Sequence, residues 1–327
     1  MMSKRVKILA IDGGGIRGVL PAMVLAEIER RTGKPVSALF DLISGTSTGG
    51  ILALALVRPG EGGQPRYSAA DIVALYENHG HRIFHRSFWH KLAALGNVAE
   101  EKYPSGGIEG VLERYFGEAR LKDAVAEVLI TGYEIERRMP FFFRSARARM
   151  RPEYDFPMKW VARSTSAAPT YFAPAKVDTL PPDDYYALID GGVFANNPAM
   201  CALVEARTIY PDAGEFLVVS LGTGEQTRRL AYEKAKYFGL AQWAKPVLEI
   251  VLDGVSSTVD YQLRQLLPSA GDGTRRYYRF QTRLQHGCEA LDDASAENIR
   301  GLKLQGEALA RERADDLQAL CTQLLAV

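Results

Sequence analysis

Cysteine is scarce in this chain of 327 residues, and the three present, Cys201, Cys288 and Cys321, stand far apart. An odd number without a C-x-x-C pair excludes a disulfide framework and a cysteine zinc site, leaving free thiols as the expectation. Histidine is sparse too. His79, His81, His85 and His90 crowd one segment, and His286 lies far downstream. His81 and His85 have the i, i+4 spacing of a metal pair, but neither an H-E-x-x-H pattern nor a third ligand accompanies them, so no metal site is expected. An excess of charge is also missing: 40 basic against 39 acidic residues leave +1. No global field then favours nucleic acid, no such partner is expected, and any membrane contact must be local. No stretch approaches the ~20 apolar residues of a membrane span. The apolar run Val6 to Ile11 is too short for a signal-peptide core and leads straight into Asp12 and glycines. A cytoplasmic protein is expected, able to sit peripherally on a membrane. Repeats and low-complexity linkers are absent, and 58–66 reads as an exposed loop.

What is present is enough apolar sequence, 47%, for a sizeable core. One domain over 1–327 is expected, with a core of about 6–225 and a mainly helical part, about 226–327, packed on it. A β-rich run at 6–11 precedes glycines and then a helix in which Leu20, Met23, Val24 and Ile28 recur at helical spacing, with Pro21 in its first turn. A second apolar run at 39–43 leads through "SGTSTGG" into the helix "ILALALV". Further strands are expected at 128–135, 141–143, 185–189 and 216–221, and "RRYYRFQT" at 275–282 interrupts the later helices. Such alternation points to an α/β sheet covered by helices on both faces.

Three stretches carry chemistry. "IDGGGIRG" satisfies G-x-G-x-x-G through Gly13, Gly15 and Gly18, the pattern of a pyrophosphate-binding turn, and its successive amides equally suit a developing oxyanion. The dinucleotide reading wants an acidic residue about 20 positions on, which Glu29 and Asp41 meet only loosely. "GTSTG" at 45–49 has the G-x-S-x-G form of a nucleophile elbow between an expected strand and helix, which would set Ser47 at a helix N-terminus. The plainer alternative is a turn of small residues. "DGGVFANNPA" at 190–199 presents Asp190 at the end of "YYALI". Alone it reads as a turn, but beside an elbow serine it becomes a candidate general base, a role to which the clustered histidines are poorly suited. "VVSLGTGEQ" at 218–226 resembles a phosphate turn and reads better as the end of a core strand. Ser166, in "STSAAP", lacks the elbow form and reads as packing around the site.

Taken in order, these motifs resemble the patatin-like phospholipase family. "ARSTSAAPTYFAP" at 162–174, "VDYQL" at 259–263 and "LDDASAENI" at 291–299 extend the likeness over nearly the whole chain. The resemblance implies a three-layer α/β/α fold with a mostly parallel central sheet and a helical C-terminal extension. It also implies a Ser-Asp dyad of Ser47 and Asp190, and an oxyanion hole of Gly13, Gly14, Gly15 and Arg17, with Arg17 steadying either the loop or the oxyanion. Gly18, Gly45, Gly49, Gly191 and Gly192 complete the motifs. The implied activity is a serine lipid acyl hydrolase, of phospholipase A or esterase type, that needs no cofactor and works on a lipid or ester substrate at a transient membrane or micelle interface. An acyltransferase using the same acyl-enzyme and a nucleotide-binding protein using the glycine loop are the alternatives. Two stretches could meet lipid or equally be buried helix. One is "RIFHRSFWHKLAAL" at 82–95, with Phe84, Phe88, Trp89 and Leu92 among Arg82, Arg86 and Lys91. The other is "KYFGLAQWAKPVLEIVL" at 236–252, with Tyr237, Phe238, Trp243 and Leu248 beside Lys236 and Lys245.

Overall fold

Strand β1 (Arg5–Ile11) divides its side chains between two cores. Leu9 and Ile11 pack with one set of helices, Val6, Ile8 and Ala10 with another. That is the two-residue period of a pleated strand, and burial on both sides places β1 inside a sheet covered on both faces. The computed structural model describes residues 5–83, 106–179, 184–227, 229–285 and 288–326. Its sheet adds β2 (Leu42–Gly45), β3 (Glu127–Glu134), β4 (Met139–Arg144), β5 (Ala175–Asp178), β6 (Tyr185–Asp190), β7 (Glu215–Leu221) and β8 (Tyr277–Phe280). The order is β5-β6-β3-β2-β1-β7-β8, with β4 also paired to β3. Strands β3, β2, β1, β7 and β8 run parallel, while β4, β5 and β6 form an antiparallel margin.

The longer helices are α1 (Val19–Thr32), α2 (Thr48–Val57), α3 (Ala69–Ile83), α4 (Gly106–Phe116), α5 (Met158–Thr165), α6 (Ala199–Ile209), α7 (Leu240–Leu266), α8 (Ala296–Glu312) and α9 (Ala314–Leu325). Side chains of α1 to α5, α8 and α9 join the core on one face of the sheet, and those of α6 with Leu263 of α7 join the other. The fold is therefore a three-layer α/β/α sandwich around a mostly parallel sheet. Every residue of α2 is buried, as its run of apolar residues requires. Among the described residues no helix is long and apolar enough to cross a membrane.

Two elements differ from the sequence reading. The second strand begins at Leu42, later than expected, because Pro35 opens a helical turn over Val36–Leu39. The four-residue strand β5 went unread, being too short for its alternation to stand out. Beyond residue 226 the chain does more than cover the sheet, since β8 pairs in parallel with β7 and α8 packs along α1.

One consequence of the pairing positions everything that follows. β4 pairs with β3 over Leu129–Glu134, which occupies one edge of β3. β2, against Glu127–Ile130, and β6, against Gly132–Glu134, must therefore share the other edge. They run in opposite directions, so their C-terminal ends, Gly45 and Asp190, approach each other with only Thr131 of β3 between their partners.

The far side of the sheet is tied to its centre by a buried ion pair. Arg279 of β8 grips Asp12, just past β1, through two hydrogen bonds of 3.0 and 2.6 Å, and the same guanidinium donates to Ser220 at 2.8 Å. Removing one partner leaves the other charge buried and alone. Arg279→Met should thus lower unfolding stability by about 3–5 kcal/mol, read from the shift in denaturant midpoint. Adding Asp12→Asn should restore part of the loss, and a single variant as stable as wild type would mean that the pair contributes little.

Candidate active site

The C-terminal ends of parallel strands are where an open α/β sheet places its ligands, and the three motifs gather there. Gly45 ends β2, and the chain turns through Thr46 and Ser47 into α2. Ser47 adopts φ 55°, ψ −125°, a backbone conformation that costs a non-glycine residue roughly 1–3 kcal/mol. The Ser47 amide donates to Thr165 Oγ1 at 2.9 Å, which holds the turn in place. Gly45 and Gly49 let the first turn of α2 lie against the ends of β1 and β2. Thr48 is hydrogen-bonded to the buried hydroxyl of Tyr76 on α3, beside Gly18.

From the opposing strand end, Asp190 meets the serine. The two side chains line the same cleft, and the Ser47 hydroxyl is near enough to pull the Asp190 pKa down. Oδ1 accepts the Gly192 amide at 2.7 Å, and the Asp190 amide donates to the Ala167 carbonyl at 3.0 Å. Asp190 is only 4% exposed, and this burial pushes its pKa up to about 7 against the opposing pull of the Ser47 hydroxyl and the Gly192 amide. Below the pair, Thr46 Oγ1 donates to the Ala195 carbonyl at 2.6 Å and so accepts from Thr131 Oγ1, 2.7 Å away. At Gly191 any Cβ would run into Thr131, so glycine is required where the Asp190 loop crosses β3.

The third loop follows β1. The Gly13 amide donates to the Asn196 carbonyl at 3.0 Å, and its own carbonyl accepts from Thr223 Oγ1 at 2.7 Å. This corrects the expectation for Gly13, whose N–H is already committed. Among the described residues no acceptor meets the amides of Gly14 and Gly15, and both glycines line the cleft that holds Ser47 and Asp190. Arg17 is also placed differently from an oxyanion ligand. It lies behind the loop, buried, with Nε donating to the Gly14 carbonyl at 3.3 Å, and it lines a separate polar cavity. Of the two roles the sequence left open, its position suits steadying the loop. Glu29 and Asp41 lie away from the loop, their carboxylates accepting backbone amides of Val36, Ala69 and Lys7.

The remaining cleft wall is largely apolar: Ile51, Ile108, Phe172, Val193, Leu248 and Leu252 dominate, with Ser166 also at the wall. Among the described residues no histidine lines it. His79 packs against the Tyr115 ring, while His85, His90 and His286 lie outside the described residues, as does the stretch 84–95, and nothing describes the side chain of His81. Sequence reading missed Thr165, Thr223 and Asn196. All three stand inside stretches it had marked, but hydroxyls and amides that brace a backbone carry no periodic signal.

Comparison with known proteins bears on this site. Residues 9–203 match a family model described as patatin-like phospholipase. "Patatin-like protein 1" of Oryza sativa subsp. indica is 34% identical over 346 residues, covering 95% of this chain and 82% of that protein. "Probable inactive patatin-3-Kuras 1" of Solanum tuberosum is 32% identical over 336 residues, covering 95% and 88%. The crystal structure of VipD from Legionella pneumophila aligns with a TM-score of 0.39 and 13% identity, covering 94% of this chain and 67% of that one.

The Asp190 environment makes a direct prediction. Its folded pKa, about 7, lies above the ordinary 3.8, so the folded state holds the proton more tightly. The stabilisation from this group is then full below 3.8 and is lost as pH rises through about 7. Asp190→Asn should flatten the pH dependence of stability in that window. Ser47→Ala, which removes the hydroxyl beside the carboxylate, should move the carboxyl titration followed by carbon-13 NMR above about 7. A downward shift would mean that the serine does not donate to it.

Proposed function

The chain belongs to the patatin-like phospholipase family, and from that premise we propose that it is a serine lipid acyl hydrolase of phospholipase A or esterase type. The observation that carries the reading is that Ser47 and Asp190 share one apolar cleft beside two unengaged glycine amides. In this reading Ser47 Oγ attacks the ester carbonyl carbon as its proton passes to Asp190. The carbonyl oxygen becomes an oxyanion, and the Gly14 and Gly15 amides stabilise it together with the N-terminus of α2. Collapse expels the alcohol, which takes the proton from Asp190, and leaves an acyl-serine. Water then attacks the acyl carbon and gives a proton to Asp190, the bond between that carbon and Ser47 Oγ breaks as Asp190 returns the proton to Oγ, and the fatty acid leaves.

A pKa near 7 suits an aspartate that must accept and return a proton at neutral pH. The apolar wall fits an acyl chain, so the substrate proposed is an acyl ester of a membrane lipid, met transiently at a membrane or micelle surface. No metal or cofactor enters the scheme. An acyltransferase would share the acyl-enzyme and deliver it to an alcohol other than water, so product analysis with and without added alcohol distinguishes the two. The engagement of Glu29 and Asp41 with backbone amides weighs against the nucleotide-binding reading.

Ser47→Ala is expected to abolish ester hydrolysis and labelling by a fluorophosphonate probe, and Asp190→Asn to lower turnover by orders of magnitude. Because the base must be ionised, kcat/KM should rise with pH to a plateau above about 7. Labelling at another serine, or a tenth of turnover left in Ser47→Ala, would reject the assignment. Gly14→Ala drives a methyl group into Thr223 and displaces the loop. It should cost on the order of a hundredfold in kcat with little change in KM. A change confined to KM would make the loop a binding element.

A further inference from the structure

The glycine loop has a further support, on α7. Asn196, whose carbonyl takes the Gly13 amide, is itself held by its side chain, since Nδ2 donates to Ser256 Oγ at 3.0 Å. Asn196 is buried and lines both the cleft and the polar cavity behind the loop, so it stands as a partition between them. Its Oδ1 lies so near two glycines that a Cβ at Gly13 would strike it and one at Gly192 would crowd it. Asn196 thus touches the glycine loop and the Asp190 loop together.

Helix α7 turns one side to both loops. At 3.6 residues per turn, Leu248, Leu252 and Leu263 fall within roughly 60°, and Ser256, Asp260 and Asp253 follow over roughly the next 80°. The first group walls the cleft or enters the core, and a Cβ at Gly192 would run into Leu252. The second group faces the polar cavity, whose wall also holds Arg17, Asn196 and Thr223, the residues that brace the glycine loop. Of the stretch 236–252, Leu248 and Leu252 therefore face inward, while Tyr237, Leu240, Val247 and Ile250 are exposed. Among the described residues nothing accepts from Arg17 Nη1. Burial lowers the Arg17 pKa, and Asp253 supplies the strongest of the charges that oppose this. Burial likewise raises the Asp12 pKa, with Arg279 and, more weakly, the Ser256 hydroxyl acting against it. We propose that Ser256 is a positioning residue: by holding the Asn196 side chain it fixes the carbonyl that anchors Gly13, and so sets the direction of the Gly14 and Gly15 amides. Ser256 lies beyond the segment 9–203 that matches the family model, so a helix outside that segment helps to shape the site. The effect on turnover rests on the hydrolase reading, whereas the tie between α7 and the loop does not.

Ser256→Ala removes the acceptor and is the direct test. It should lower kcat on a short water-soluble ester about tenfold while KM stays within about twofold of wild type, because the loop acts on the transition state. Labelling of Ser47 by a fluorophosphonate should slow in step. Hydrogen exchange at the Gly13 amide, followed by NMR, should quicken about fivefold or more, while exchange in β1 and β7 stays as in wild type, which separates loss of the tie from loss of stability. Ser256→Thr keeps the hydroxyl and should recover most of the turnover. In an Asn196→Ala background, Ser256→Ala should cost less than about twofold more, since the tie is already gone. The proposal is overturned if Ser256→Ala keeps wild-type turnover or wild-type exchange at Gly13, or if its loss falls on KM. It is overturned too if Ser256→Thr is as slow as Ser256→Ala, or if the losses at Ser256 and Asn196 simply multiply. Wild type that hydrolyses no ester would remove the hydrolase reading, and exchange at Gly13 would then decide the tie by itself.

Discussion

The meeting of two strand ends over Thr131 is the constraint on which the site depends. β2 and β6 take successive stretches of one edge of β3 and run toward each other, so the residues that leave them are forced together. Ser47 is carried up by the turn after Gly45, and Asp190 is the last residue of β6. Backbone pairing thus fixes the distance between the two side chains, with little left for side-chain rotamers to decide. The Thr131–Thr46–Ala195 hydrogen bonds seal the seam beneath them. A site held by strands is more rigid than one carried on loops, and rigidity keeps a reacting pair aligned.

The glycine loop is held in a different way, from outside and by several partners. Asn196 takes the Gly13 amide, Thr223 the Gly13 carbonyl, Arg17 the Gly14 carbonyl, and Leu291 accepts the Ile16 amide. Between these anchors only the amides of Gly14 and Gly15 remain for something in the cleft. The loop gains its shape from residues just after β7, on the segment after β6 and near α8, so three distant parts of the chain agree on two N–H vectors. Arg17 belongs to this support, and its burial behind the loop explains why an arginine so close to the glycines stays out of the cleft.

Much of this was legible in the sequence, and the exceptions share a cause. Strands β1, β3, β6 and β7 and helices α1 and α2 announced themselves because a face buried in a sheet or helix repeats with a fixed period. Ser47 and Asp190 were legible because turns this tight demand glycine beside them. Gly13 was misread as a free donor since an amide's partner is invisible in a motif; only the fold brings Asn196 within 3.0 Å. Thr165, Thr223 and Asn196 were unreadable for the same reason. The short strand β5 and the late start of β2 were decided by neighbours and by Pro35, which local pattern does not weigh.

The ion pair between Asp12 and Arg279 spans 267 positions of sequence, and that separation orders events in time. A chain emerging from the ribosome has its serine, its aspartate and its glycines long before β8 exists. Until β8 arrives, Asp12 lacks its partner at the very foot of the glycine loop, and the loop's outer supports near Leu291 have not been made either. Ser47, Asp190 and the glycines are synthesised early, yet the last third of the chain completes their arrangement. In such a design the glycine loop and the two strand-end turns are braced together only once the last third of the chain has been made.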